Sequence, residues 1–178
     1  IGTFHAICSR ILRVEIERIG FEKNFTVYDR ADQISLVKEC LKDMGVDPKN
    51  VEIKNEINTI SRLKNAGATE KNIDKEDFDI NLSTFTMELF QKYEHKLKRY
   101  NSLDFDDLIV KTNLLFEENP DLREKYSERF KYVFVDEYQD TNDTQYKLIK
   151  NLVTKNDNIC CVGAVSYTHL TLPTNREV

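Results

Sequence analysis

A parallel α/β fold interrupted by a mostly helical insertion is what this sequence predicts, on three observations. Residues 132–163 read as strand, helix, strand, with the apolar runs Tyr132–Val135 and Ile159–Val162 flanking an amphipathic stretch. Residues 3–130 read instead as a succession of amphipathic helices. The apolar run Val133-Phe134-Val135 also stops at two adjacent carboxylates, Asp136 and Glu137, followed by the polar turn Tyr138-Gln139-Asp140-Thr141-Asn142. Strand, helix, strand within about thirty residues is a βαβ unit, which demands parallel strands and a right-handed crossover. Ligands of open parallel sheets bind beyond the C-terminal strand ends, and Asp136 and Glu137 stand at such an end.

Each element has a local cause. Thr3 is placed to cap a first helix carrying Phe4, Ile7, Cys8, Ile11 and Leu12 on one face, with Gly20 as its stop. Phe25-Thr26-Val27-Tyr28 reads as extended. Asp29 with Asp32 forms a capping box for a second helix striped by Ile34, Val37, Leu41 and Met44 and closed by Gly45. After Pro48 a third helix presents Ile57, Ile60 and Leu63 and ends at Gly67. Residues 67–82 read as an irregular loop with a weak helical turn. A long helix from Ser83 to about Tyr100 turns Phe85, Leu89, Phe90, Tyr93 and Leu97 inward. Ser102–Leu108 opens another, running to about Phe116, and Asn119-Pro120 starts the next, striped by Leu122, Tyr126 and Phe130. Asn142 with Gln145 caps a helix through Val153 whose stripe includes Tyr146, Ile149 and Leu152, before the second strand ends at Gly163.

Bulk properties bound the function. The 178 residues are 40% hydrophobic and 32% charged, enough for one sizeable domain or two small ones sharing a core. No stretch approaches the roughly 20 apolar residues of a membrane span. The start Ile1-Gly2-Thr3 has no Met and no signal-peptide layout, which predicts a truncated beginning. Cys8, Cys40, Cys160 and Cys161 lack metal-ligand spacing and predict reduced core thiols of a cytosolic protein. A net charge of −5 weighs against nucleic-acid binding unless cations cluster locally. The candidates for such a cluster are Lys54, Arg62 and Lys64, then Lys92, Lys96, Lys98 and Arg99, against the plain reading of solvated helix faces.

Three constellations carry chemistry. Phosphoryl transfer to water needs a metal to neutralise phosphate charge and a group to orient or deprotonate the water. Asp136 could hold Mg²⁺ and Glu137 act on the nucleophile; the plain alternative is a strand exit whose acids face solvent. A calcium loop fails, because Tyr138 stands where a carboxylate or amide is needed. Thr3, Phe4 and His5 at a helix start could stack a base and grip a phosphate, or be a cap, a core ring and an exposed imidazole. In Leu103-Asp104-Phe105-Asp106-Asp107-Leu108 the acids suit a helix N-terminus, with Asp104 as cap. Phe105 could also meet a nucleic-acid end, though nothing in the segment requires it. His5, His95 and His169 are too dispersed for a metal site.

With these residues in hand, the chain resembles an internal piece of a superfamily-one DNA helicase of the UvrD/Rep/PcrA type. The segments carrying the likeness are Thr3-Phe4-His5-Ala6 with Arg10-Ile11-Leu12-Arg13, Asn24-Phe25 to Asp29, Leu103 to Leu108, and above all Val135 to Asn142. It spans about residues 1–163, and Tyr138-Gln139-Asp140-Thr141-Asn142 favours the PcrA-like branch over helicase–nuclease subunits. The resemblance implies a partial RecA-like (P-loop NTPase) motor domain, residues 1–20 and 109–163, interrupted by a helical insertion subdomain, residues 21–108. It further implies ATP and Mg²⁺ as cofactors, Asp136 as the magnesium carboxylate, Glu137 as catalytic base, and Gln139 and Asp140 near the nucleotide. Thr3, Phe4 and His5 match the segment that touches single-stranded DNA. The implied activity is ATP-driven 3′–5′ movement along one strand and displacement of the other, in repair or replication. The implied partners are single-stranded and junction DNA, with repair or replication proteins, in the cytoplasm and away from membranes.

The sequence departs from that family in places. No G-x-x-x-x-G-K-[ST] phosphate loop occurs among the 178 residues, so the chain alone is expected to be inactive. The second motor domain and its arginine finger are missing too. After Val162-Gly163 the family continues with an acidic turn, whereas this chain reads Ala164-Val165-Ser166-Tyr167. Residues 164–178 are therefore expected to be a non-homologous tail, and His169, Thr171 and Asn175 receive no role. Two alternatives stand: a helicase–nuclease motor subunit, and a non-enzymatic helical interaction module whose acidic turn is only a cap.

Overall fold

A computed structural model describes residues 1–70, 72–74, 78, 82–155 and 158–164. Apart from Ala164, the expected tail lies outside them. The architecture is α/β, mostly helical, with two small parallel sheets. Among the described residues no helix is long and apolar enough to cross a membrane.

Helix α1 (Phe4–Glu15) starts where the Thr3 hydroxyl accepts the Ala6 N–H at 3.2 Å. It tightens into a 3₁₀ turn, Ile16–Ile19, and stops at Gly20, whose φ of +81° is the left-handed conformation that a residue without Cβ takes freely. Strand β1 (Thr26–Val27) pairs in parallel with β2 (Ser102–Leu103), a pairing the sequence did not announce. Two-residue strands are too short to show a period of two. The Thr26 N–H donates to Asn101 O at 3.1 Å and the Tyr28 N–H to Leu103 O at 2.8 Å, so the strand entering the intervening helices lies beside the strand that leaves them.

Those helices are α2 (Arg30–Asp43), α3 (Ile53–Asn65) and α4 (Thr84–Arg99). The Asp29–Asp32 capping box forms as expected, and Ser83 caps α4. The stripe of α2 is centred on Leu36, Val37, Cys40 and Leu41, with Ile34 and Met44 only partly buried. Leu36 to Leu97 build one apolar cluster; Cys8 to Phe25 and Leu103 to Leu152 build a second. In the latter, α5 (Phe105–Glu118) packs against α1, α6 (Pro120–Arg129) and α7 (Asp143–Leu152). The α7 stripe also differs from expectation: Leu148 is buried beside Ile149 and Leu152, while Tyr146 is 46% exposed.

Strand β3 (Val133–Val135) pairs in parallel with β4 (Ile159–Cys161), in register Val135 to Cys161. The βαβ unit is thus as expected, but its second strand is not buried. Phe134 is 76% and Ile159 41% exposed, and Cys160 and Cys161 are exposed as well, unlike the core thiols Cys8 and Cys40. A parallel pair is buried only when further strands and helices flank it; among the described residues this sheet has two strands.

Between the clusters lies a buried ionic knot. Lys64 Nζ, on α3, reaches Glu94 Oε1 of α4 at 2.6 Å and Asp104 Oδ2 and Asp107 Oδ2 at 2.8 and 2.9 Å. The Tyr93 hydroxyl donates to Asp104 at 3.0 Å, and Lys111 Nζ sits 3.1 Å from Glu94 Oε2 and 3.7 Å from Asp107 Oδ1. Asp104 is the α5 cap, as expected, but it is wholly buried and is also a counter-ion. Burial alone would depress the Lys64 pKa, yet Asp104, Asp107 and Glu94 together hold it well above the ordinary value. Burial works against Asp104 and Glu94 too, but Lys64 keeps both low. Two ammoniums face three carboxylates, and the excess falls on Asp107: burial first, then the Asp104 charge, pushes its pKa up to about 7.

Lys64→Ala would leave three buried carboxylates short of a cation and is expected to cost about 3–5 kcal/mol in urea unfolding. The sign for Asp107 is opposite to that of an ordinary paired acid. A folded pKa raised above the unfolded value contributes stability present at about pH 4 and lost as pH rises through 7. Asp107→Asn, which keeps an acceptor for the Asp104 N–H, should therefore gain on the parent chain between pH 5 and pH 8, by at least about 1 kcal/mol. Unfolding curves at the two pH values measure it.

Candidate functional site

The acidic turn is assembled by the C-terminal ends of both strands of the second sheet. The Val162 N–H donates to Val135 O at 2.8 Å and the Tyr138 N–H donates to Val162 O at 3.0 Å, so the turn hangs from β4 as much as from β3. Glu137 adopts φ +50°, ψ +45°, a left-handed conformation that costs a residue with a Cβ about 1–2 kcal/mol. Strain of this kind persists where neighbours hold it and gathers at functional sites. Here the kink breaks the alternation of faces that a strand would impose on successive residues. A 3₁₀ turn, Tyr138–Asp140, follows, and Asn142 caps α7 through a reciprocal box with Gln145.

Gln139 fixes the geometry of Glu137. Its Nε2 donates to the Glu137 carboxylate, and its Oε1 accepts the Ala164 N–H at 3.0 Å. A Cβ on Gly163 would stand 2.5 Å from that same Oε1, so the glycine leaves the space Gln139 occupies. Asp136 Oδ1 accepts the Glu137 N–H at 3.0 Å. Asp136, Glu137, Gln139 and Asp140 are all exposed beyond the strand ends. Among the described residues no three acidic, histidine or cysteine side chains cluster as metal ligands. The exposed carboxylate of Asp136 is of the kind Mg²⁺ takes, one or two at a time, with waters and phosphate oxygens for the rest.

At the other end, the structure brings one of the three N-terminal candidates to an unexpected partner. Thr3 spends its hydroxyl on the cap and Phe4 is half-buried against the core, so both satisfy the plain reading. His5 stacks on Phe105, ring centroids 4.2 Å apart and tilted by 32°. Burial lowers the His5 pKa, with Asp106 partly opposing, which keeps the imidazole neutral at pH 7. Phe105 is 57% exposed at the first position of α5. An apolar ring between acids on the solvent side of a helix start was its sequence signal; the partner, a hundred residues earlier, was not readable.

Two cationic candidates are corrected. Lys64 is buried in the ionic knot, and Lys96 pairs with Glu39 and with Asp43, the latter at 2.7 Å. Both charges are consumed by carboxylates from distant helices. Lys54, Arg62, Lys98 and Arg99 are exposed, and half-buried Lys92 lies 3.7 Å from Glu88.

The model of the UvrD/REP helicase N-terminal domain matches residues 1–165. The chain is 45% identical over 162 residues to a protein named ATP-dependent DNA helicase PcrA from Staphylococcus aureus, covering 91% of this chain and 22% of that relative. A protein of the same name from Staphylococcus epidermidis gives the same identity and coverage. The chain thus spans about a fifth of the length of these relatives. A family match across nearly all the described residues, with the acidic turn inside it, settles the relationship: the chain belongs to the UvrD/Rep helicase family.

Proposed function

We propose that this chain is part of the motor of an ATP-dependent DNA helicase, which couples ATP hydrolysis to 3′–5′ translocation on single-stranded DNA and to unwinding. Residues 1–20 and 109–163 are read as a partial RecA-like domain and 21–108 as its helical insertion. The observation that carries the reading is the pair Asp136 and Glu137 at the C-terminal tip of a parallel strand, one kinked and tied by Gln139 to the chain beyond β4. Asp136 holds the hydrated Mg²⁺ of ATP and Glu137 takes the proton of the attacking water. Gln139 positions that carboxylate, and Asp140 lies in the same turn. The Mg²⁺, when bound, neutralises the phosphate charge.

DNA meets the start of α5. The exposed ring of Phe105, backed by the neutral His5, offers a stacking face for a base. Thr3 and Phe4 hold the α1 start against it. The names of the relatives support ATP and DNA as ligands. Junction DNA, a role in repair or replication beside other proteins of those processes, and a cytoplasmic location complete the proposal.

In the longer protein, Glu137→Gln is expected to leave nucleotide binding intact and lower kcat by about 10²–10⁴-fold. Turnover at the parental rate would remove Glu137 as the base. The 178-residue chain, without a Gly-Lys-Thr phosphate loop, is expected to show no DNA-stimulated ATPase activity; measurable turnover would overturn that. If the longer protein binds neither Mg²⁺-ATP nor single-stranded DNA, the helicase proposal fails. Glu137→Gly relieves the left-handed strain and is expected to hold or raise the stability of the chain by up to about 1 kcal/mol while abolishing turnover in the longer protein.

A further inference from the structure

One hydroxyl proton stands between the two ends of the proposed site. Thr144 Oγ1, in the first turn of α7, lies 2.8 Å from Asn142 Oδ1 and 2.8 Å from Asn65 Oδ1. Both of those oxygens are fixed as acceptors. Asn65 Nδ2 donates to Ser61 O and to Asp106 Oδ1, each at 2.9 Å, which leaves Oδ1 facing Thr144. Asn142 Oδ1 accepts the Gln145 N–H at 2.9 Å as the α7 cap. A threonine hydroxyl has a single hydrogen to donate. At any moment one of the two contacts holds a proton and the other sets two oxygen lone pairs against each other.

We propose that Thr144 is a positioning residue that couples the acidic turn to the His5–Phe105 end of α5, by giving its proton to Asn142 or to Asn65. Donated to Asn142, the proton firms the cap that closes the turn of Asp136 and Glu137. Donated to Asn65, it ties α7 to α3 and, through Asn65 Nδ2, to Asp106 beside the stacked rings. The switch needs no movement of the Thr144 backbone, whose carbonyl accepts Asn113 Nδ2 at 2.8 Å; the hydroxyl only rotates. A cavity of about 240 Å³, lined by Asn65, Asp107, Asn113 and Thr144 among others, gives the loosened contact room to open. The coupling role rests on the helicase proposal, whereas the sharing of the proton does not.

Two experiments separate them. In the 178-residue chain, Asn65→Ala and Asn142→Ala each leave the proton an alternative acceptor, so the double variant should unfold with an equilibrium constant at least about threefold above the product of the single effects. That excess should vanish in a Thr144→Val background; simple multiplicativity would overturn the sharing. In the longer protein, Thr144→Val should lower the ATPase rate with single-stranded DNA about three- to tenfold more than the rate without it, and Thr144→Ser should restore it. An equal fall in both rates, or no fall, overturns the coupling. A wild-type protein that DNA does not stimulate overturns both the coupling and the helicase proposal, while the unfolding cycle still reports on the proton.

Discussion

Helices α3, α4 and α5 are oriented by one buried ammonium. Lys64 meets acids from α4 and from the start of α5, and none of the four side chains is more than slightly exposed. Such a cation cannot be removed or turned without stranding charge in a low dielectric, so three helices share one relative placement. Asp104 ties this constraint to local structure. Its Oδ1 accepts the Asp107 N–H at 2.9 Å as the cap of α5, and its Oδ2 accepts from Lys64 and Tyr93. The point at which α5 begins is therefore set by the same carboxylate that neutralises Lys64. Phe105 and Asp106, the next two residues, inherit their positions from it.

The acidic turn obeys a different economy. No buried charge holds it; backbone bonds between the ends of β3 and β4 and the two-sided grip of Gln139 do. The left-handed Glu137 costs on the order of 1–2 kcal/mol, a cost offset by hydrogen bonds closing around it rather than by burial. Carboxylates left in water can exchange solvent for a metal ion without a buried charge first having to be freed. The knot and the turn thus solve opposite problems with the same residue types.

Sequence reading succeeded where causes are local. Thr3, Asp29 with Asp32, Ser83 and Asn142 with Gln145 announce helix starts because a cap and its N–H groups lie within three residues of each other. The apolar run before Asp136 announced its strand for the same reason. It failed where partners are remote. Lys64 looks like any lysine of a charged helix, since Asp104 lies 40 residues on. The β1–β2 pairing joins residues 26 and 102, and the stack of His5 on Phe105 spans a still longer separation. Tyr146 and Leu148 were exchanged in the α7 stripe because a ten-residue helix with polar residues on most sides fits two phases of the 3.6 period.

The knot also carries a cost that apolar packing would avoid. Replacing a buried ion cluster with hydrophobic side chains of similar volume is often neutral or stabilising, so stability alone gives no reason for five charged groups there. Direction does. Leu or Met at these positions would bury as much surface in several rotations of α5, because apolar contacts are non-directional. Asp104 and Asp107, by contrast, find Lys64 in a single rotation, with the third carboxylate, on Glu94, fixing α4 against both. α5 packs on α1 along one side and on α7 along another, so a small error in its rotation would reach Phe105 and the α7 cap together. On the proposed reading, in which α5 presents an aromatic ring at its start and supports the acidic turn through α7, a fixed azimuth matters more than a few further kcal/mol.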